Sequence, residues 1–144
     1  LPISQRIKTH KFLQLSSTYH KFMPGLKGGK MSSSDPITYI ALDEDPKAAK
    51  KKVNKYAFSG GQATVEEHRK KGGNPDVDVA FQMLKYGLET DDKKLTNIYN
   101  DYKSGALLSG ELKAITIEKL TKFLEQHQKN RIKAKKQIDK FLKW

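Results

Sequence analysis

The chain has 144 residues, 28 of them lysine or arginine against 16 acidic, for a formal net charge of +12. It contains no cysteine, which excludes disulfides and thiolate metal sites. His10, His20, His68 and His127 lack metal-ligand spacing, and no apolar run is long enough to span a membrane. The basic surplus favours a polyanionic partner such as nucleic acid or a phosphate-rich surface. The expectation is a soluble, cytoplasmic protein with no membrane partner. Its length suits one domain with a core, or a small domain carrying part of another. The start at Leu1 fits either a processing scar or a piece of a longer protein.

The first 45 residues differ from the rest. "KFLQL" (11–15) and "ITYIAL" (37–42) predict short strands, and between them lies "PGLKGGKMSSSDP", from Pro24 to Pro36, with no helical or strand periodicity. The remainder predicts helices. Asp45 and Pro46 form a cap and first-turn pair for a helix running to Ala57, with Ala49, Val53, Tyr56 and Ala57 on one side. Thr64 and Glu67 have capping-box spacing, and Gly72–Gly73 ends that short helix. Asp76 or Asp78 can cap the next, whose Val77, Ala80, Phe81, Leu84 and Leu88 follow the series of a buried face. From about Asp91 to Tyr102, the residues Leu95, Ile98, Tyr99 and Tyr102 form a stripe, and the tyrosines read as core or half-core. Ser109 can cap a final long helix. Its first half places Leu112, Ile115, Leu120, Phe123 and Leu124 toward a core. Its second half carries Lys129, Arg131, Lys133, Lys135, Lys136, Lys140 and Lys143, which can track phosphate or serve as a solvated face. The fold class is mainly α, with a division near residues 45 and 46. The expected core includes Val53, Tyr56, Phe81, Leu84, Leu88, Leu95, Ile98, Leu120 and Phe123.

A loop rich in glycine, serine and lysine can offer backbone amides, hydroxyls and a point charge to phosphate oxygens. The Walker A pattern fails here, because Pro24 stands at its first glycine and Met31 follows Lys30. The pattern K-M-S-x-S is met by Lys30, Met31, Ser32, Ser33 and Ser34. This run resembles the signature loop of class I aminoacyl-tRNA synthetases. Its flanks, "KVNKYAFSGG", "EEHRKKGGNPDVDVAF" and "DYKSGALLSGELK", resemble the tryptophanyl-tRNA synthetases of archaeal and eukaryotic type in order and spacing, across essentially the whole chain.

That resemblance implies an enzyme in which the carboxylate of tryptophan attacks the α-phosphate of ATP, pyrophosphate leaves, and the adenylate is passed to tRNA(Trp). ATP is then a substrate, accompanied by Mg2+, with no prosthetic group. Lys30 would supply charge to the phosphates, Ser32 and Ser34 hydrogen bonds, and Met31 a packing anchor. Ser33 stands where the fuller class I pattern has a second lysine. The resemblance places anticodon contacts at Gln62, Ala63 and Lys113, and implies a homodimeric parent. It also divides the chain into the last edge of a Rossmann-like catalytic domain (1–45) and a helical anticodon-binding domain (46–144). The family's H-I-G-H-type motif and most of its sheet would precede these residues, so the chain is expected to be an incomplete enzyme. The alternative is a non-catalytic basic helical module that binds RNA or a protein.

Overall fold

The first four α-helices each start where a side chain takes over orphan amides of the first turn. The computed structural model describes residues 16–19 and 22–141, so the strand expected over 11–15 lies outside the described residues. Asp45 accepts from the amides of Lys47 and Ala48 to open α1 (Pro46–Tyr56). Thr64 accepts from Glu67 to open α2 (Val65–Lys71). Only half of the expected capping box forms, since the Glu67 carboxylate faces Lys71 instead. Asp78 opens α3 (Val79–Met83), which runs directly into a π-helical segment, Leu84–Leu88. Asp91 opens α4 (Asp92–Ser104), and α5 (Ser109–Lys135) and the short α6 (Ile138–Phe141) complete the described chain.

Four expectations are corrected. The segment 37–42 is not a strand, and the only β-type pairing among the described residues is an isolated bridge between Ser32 and Asp35. Its backbone is committed to turns instead: Thr38 donates to Asp35 and Glu44 donates to Ala41. Of its apolar residues, Ile40 packs partly buried on the helical core, while Leu42 is 49% exposed. Ser109 does not cap α5. Leu108 holds that position with its amide bonded to Glu111, and the Ser109 hydroxyl pairs with Tyr102. Val77 precedes α3 in a turn and is 48% exposed. Phe123 is 45% exposed, because the buried side of α5 runs through Leu112, Thr116, Ile117, Leu120 and Leu124, leaving Phe123 to stack on His127.

The core has two parts. In the first, Ala49 and Val53 of α1 meet Val79 and Met83 of α3 and Ile117, Leu120 and Leu124 of α5. Leu26, from the glycine-serine loop, belongs to this same cluster. In the second, Phe81, Leu84 and Tyr102 pack with Leu112, and Leu95, Ile98 and Tyr99 lie against them. α5 contributes to both, which makes it the central element. No helix among the described residues is long and apolar enough to cross a membrane.

Candidate functional site

The loop from Pro24 to Thr38 is tied at its base. The Leu26 amide donates to the Thr38 carbonyl at 2.9 Å, and the Leu26 carbonyl accepts from the Phe58 amide at 2.8 Å. Within the loop, the buried Thr38 hydroxyl accepts from the Ser32 amide at 3.0 Å and donates to the Asp35 carbonyl at 2.7 Å. Lys27 pairs with Asp35 at 3.1 Å. The Lys27 ammonium, helped by the Ile37 amide, holds the Asp35 carboxyl below its ordinary range.

These internal bonds decide which groups remain for a ligand. Lys27 is used within the loop, whereas Lys30 is exposed and makes no ion pair among the described residues. The amides of Gly29, Lys30, Met31, Ser33 and Ser34 likewise find no acceptor among the described residues. The hydroxyls of Ser32 and Ser34 lie 2.8 Å apart. Met31 lines an apolar cavity of about 300 Å³ with Leu26, Ile40 and Met83 while remaining 38% exposed. The exposed rim is therefore a set of N–H donors, two hydroxyls and one ammonium, an arrangement suited to phosphate oxygens. Lys52 fixes the segment that follows. From α1, its half-buried ammonium donates to the Pro36 carbonyl and the Glu44 carboxylate, each at 2.8 Å.

A second cluster surrounds residues 59–64. Asp78 is buried and accepts four hydrogen bonds: from Ala80 and Phe81 at 2.9 and 3.2 Å, from the Gly60 amide at 2.9 Å and from the Tyr102 hydroxyl at 2.8 Å. With the Tyr102 proton directed at Asp78, the Ser109 hydroxyl 2.9 Å away must donate to the Tyr102 oxygen. Burial, reinforced by the Asp78 charge, pushes the Tyr102 hydroxyl above the ordinary tyrosine range. Gly60 also exchanges backbone contact with Asn74, and any Cβ there would collide with the Asn74 carbonyl. Gly72, at φ 73°, ends α2 in a conformation that favours glycine.

His68 is buried and orders the loop. Its Nδ1 accepts from the Gln62 amide at 3.4 Å, so the proton lies on Nε2, which donates to the Leu107 carbonyl at 3.0 Å. The Gln62 side-chain NH2 donates to the Gly72 carbonyl at 3.0 Å, and its Oε1 meets no donor among the described residues. Ala63 is exposed. Gly61 lies against Ser109, and Lys113 stands one turn further along α5 on the same side, half-buried. Gln62 and Ala63 continue from Gly61, and Lys113 follows Ser109 by one turn of α5, but no hydrogen bond or ion pair among the described residues joins Lys113 to that loop; Lys30 to Ser34 form a separate cluster. Sequence reasoning missed Thr38, Lys52, His68, Tyr102 and Ser109 as positioning groups. Asp78 was legible as a cap, but nothing local announces its bonds to Gly60 and Tyr102.

The family described as tRNA synthetases class I (W and Y) matches residues 2–125. A tryptophan–tRNA ligase of Sulfurisphaera tokodaii is 54% identical over 141 residues, covering 96% of this chain and 36% of that protein. A cytoplasmic tryptophan–tRNA ligase of Saccharomyces cerevisiae is 45% identical, covering 92% of this chain and 31% of that protein. Among solved structures, tryptophanyl-tRNA synthetase from Aeropyrum pernix K1 superposes with a TM-score of 0.79 at 45% identity, covering 82% of this chain and 32% of that one. The chain thus spans about a third of the length of the curated relatives it matches.

Proposed function

The chain belongs to the class I tRNA synthetases of the W and Y family, and on that premise we propose that it forms the signature-loop and anticodon-binding part of a tryptophan–tRNA ligase. In this reading the tryptophan carboxylate attacks the α-phosphorus of ATP and the bond to pyrophosphate breaks with its electron pair on the leaving oxygen. A terminal hydroxyl of tRNA(Trp) then attacks the carbonyl of the adenylate, and the acyl–phosphate bond breaks to release AMP. The observation that carries it is the rim of amides and the Lys30 ammonium that find no partner among the described residues, on a loop whose interior is already satisfied by Thr38 and Lys27. Charge that grows on the pyrophosphate oxygens in the transition state would meet donors already held in place. Mg2+ enters as part of the nucleotide substrate. Among the described residues there is no group of three His, Asp or Glu side chains to hold a metal by itself.

Gln62, Ala63 and Lys113 are proposed to contact the anticodon, Gln62 through its free Oε1, Ala63 through its backbone and Lys113 through its ammonium. The division near residue 45 and a homodimeric assembly belong to the same proposal. Adenylate formation provides the test. In the ligase carrying this chain, Lys30→Ala should slow tryptophan-dependent exchange of pyrophosphate into ATP by about 100- to 1000-fold, the scale of losing one oxyanion-type donor. Tryptophan affinity should change much less. Lost affinity with an unchanged rate would refute the loop's role. For the anticodon, Lys113→Ala should narrow the preference for a tryptophan anticodon stem-loop over one with altered bases by about 1 to 3 kcal/mol, by analogy with base-edge contacts in DNA.

A further inference from the structure

We infer that the distal half of α5 is a docking surface for RNA phosphates, separate from the residues proposed to read bases; this rests on the RNA-binding function proposed above. The two halves of α5 differ in charge. From Ser109 to Glu125, Lys113, Lys119 and Lys122 are matched by Glu111, Glu118 and Glu125. Two of those lysines are paired, Lys119 with Glu89 at 2.8 Å and Lys122 with Glu118 at 2.6 Å. From Gln126 to Ile138 there are five cations, Lys129, Arg131, Lys133, Lys135 and Lys136, and no acid. Arg131 alone among them forms an ion pair with a described residue, Asp43, at 3.5 Å.

The geometry separates this stretch from an ordinary mixed-charge solvated face. The last buried residue of α5 is Leu124, yet the helix continues through Lys135 with its cations exposed. Lys129, Lys133 and Lys136 recur at i, i+4 and i+7, on the side opposite Leu120 and Leu124. They form one outward row roughly 10 Å long, at ~1.5 Å per residue. Arg131 and Lys135 flank the core side. A row of ammonium groups that meet no carboxylate among the described residues attracts phosphates without regard to base, and its affinity falls with salt as counterions are released. An anionic membrane is the poorer partner, since an interfacial helix needs a continuous apolar face. This stretch exposes only Ile132 and Ile138 as large apolar residues.

The test uses the 144-residue chain and a tryptophan anticodon stem-loop, with Kd measured across a salt series. Changing Lys129, Lys133 and Lys136 together to Gln should weaken binding at low salt at least tenfold. The slope of log K against log salt should become shallower by about two to three, as expected for losing three phosphate contacts. The preference over a stem-loop with altered bases should stay the same. Changing Lys47, Lys50 and Lys51 of α1 to Gln removes the same charge and should have much the smaller effect. Equal effects of the two triple variants would overturn the inference, reducing it to net charge. So would an unchanged RNA slope accompanied by lost binding to phosphatidylserine vesicles. An unchanged slope with anticodon preference intact would overturn only this inference, whereas a parent chain that binds neither stem-loop would also remove the RNA-binding function on which it rests.

Discussion

Asp78 is a buried anion that faces four hydrogen-bond donors and, among the described residues, no cation. Asparagine keeps its shape but turns an NH2 group toward those donors. Asp78→Asn should therefore cost about 3 kcal/mol of stability in urea unfolding, the scale of leaving buried donors unpaired. Tyr102→Phe should cost about 2 kcal/mol, because it removes the hydrogen bond to a charged acceptor and strands the Ser109 hydroxyl. Its pH signature is distinctive. The folded chain keeps the Tyr102 proton above the ordinary value of 10.0, whereas the unfolded chain releases it there. Stability from this source is whole below that pH and falls as pH rises above it. Tyr102→Phe should flatten the alkaline limb of the stability curve, and an unchanged limb would place the loss in another group.

Among elements, the Pro24–Thr38 loop depends most on a single hydroxyl. Thr38→Val keeps the volume and removes the Thr38 bonds to Ser32 and Asp35. Amide exchange at Ser32 should accelerate, and protease should cut between Gly25 and Ser34 sooner, while the helices keep their circular dichroism. Acid should loosen the same turn. Because the Asp35 carboxyl is held below its ordinary range, its contribution is present above that range and is lost as pH falls through its lowered value. The Lys30–Ser34 motif was legible because its five residues are contiguous, and the Asp45 and Thr64 caps because they act within four residues. Thr38 and Lys52 were illegible for the opposite reason: what they hold is fixed by tertiary approach, and Lys52 reads as one more lysine on a helix rich in them. Ser109 misled because a serine before a helical pattern has the chemistry of a cap, and only Tyr102, brought close by packing, draws its hydroxyl away. The π-helical segment has no sequence signature of its own. It emerges as Glu89 donates back to Leu84 across five residues.

For the molecule as a whole, the position of Leu26 matters beyond its loop. It is 3% exposed within a cluster otherwise drawn from α1, the residue after it, α3 and α5. Leu26→Ala should lower global stability by about 2 to 4 kcal/mol through the cavity left behind. The signature segment and the helices should unfold in one transition. A helical transition unmoved by Leu26→Ala would show that the segment merely rests on the core.

The Phe58 backbone donates to Leu26 and accepts from Val79, two residues before Gly60 enters the Asp78 network. One short run of main chain thus fastens the base of the loop proposed to face phosphate on one side and leads into the proposed base-reading residues on the other. A listener placed there would hear both ends. The exchange rate of the Phe58 amide should shift when RNA engages Gln62 or when pyrophosphate engages Lys30, although Phe58 belongs to neither group of contacts. A rate indifferent to both ligands would mean that the two ends of the chain keep their own time.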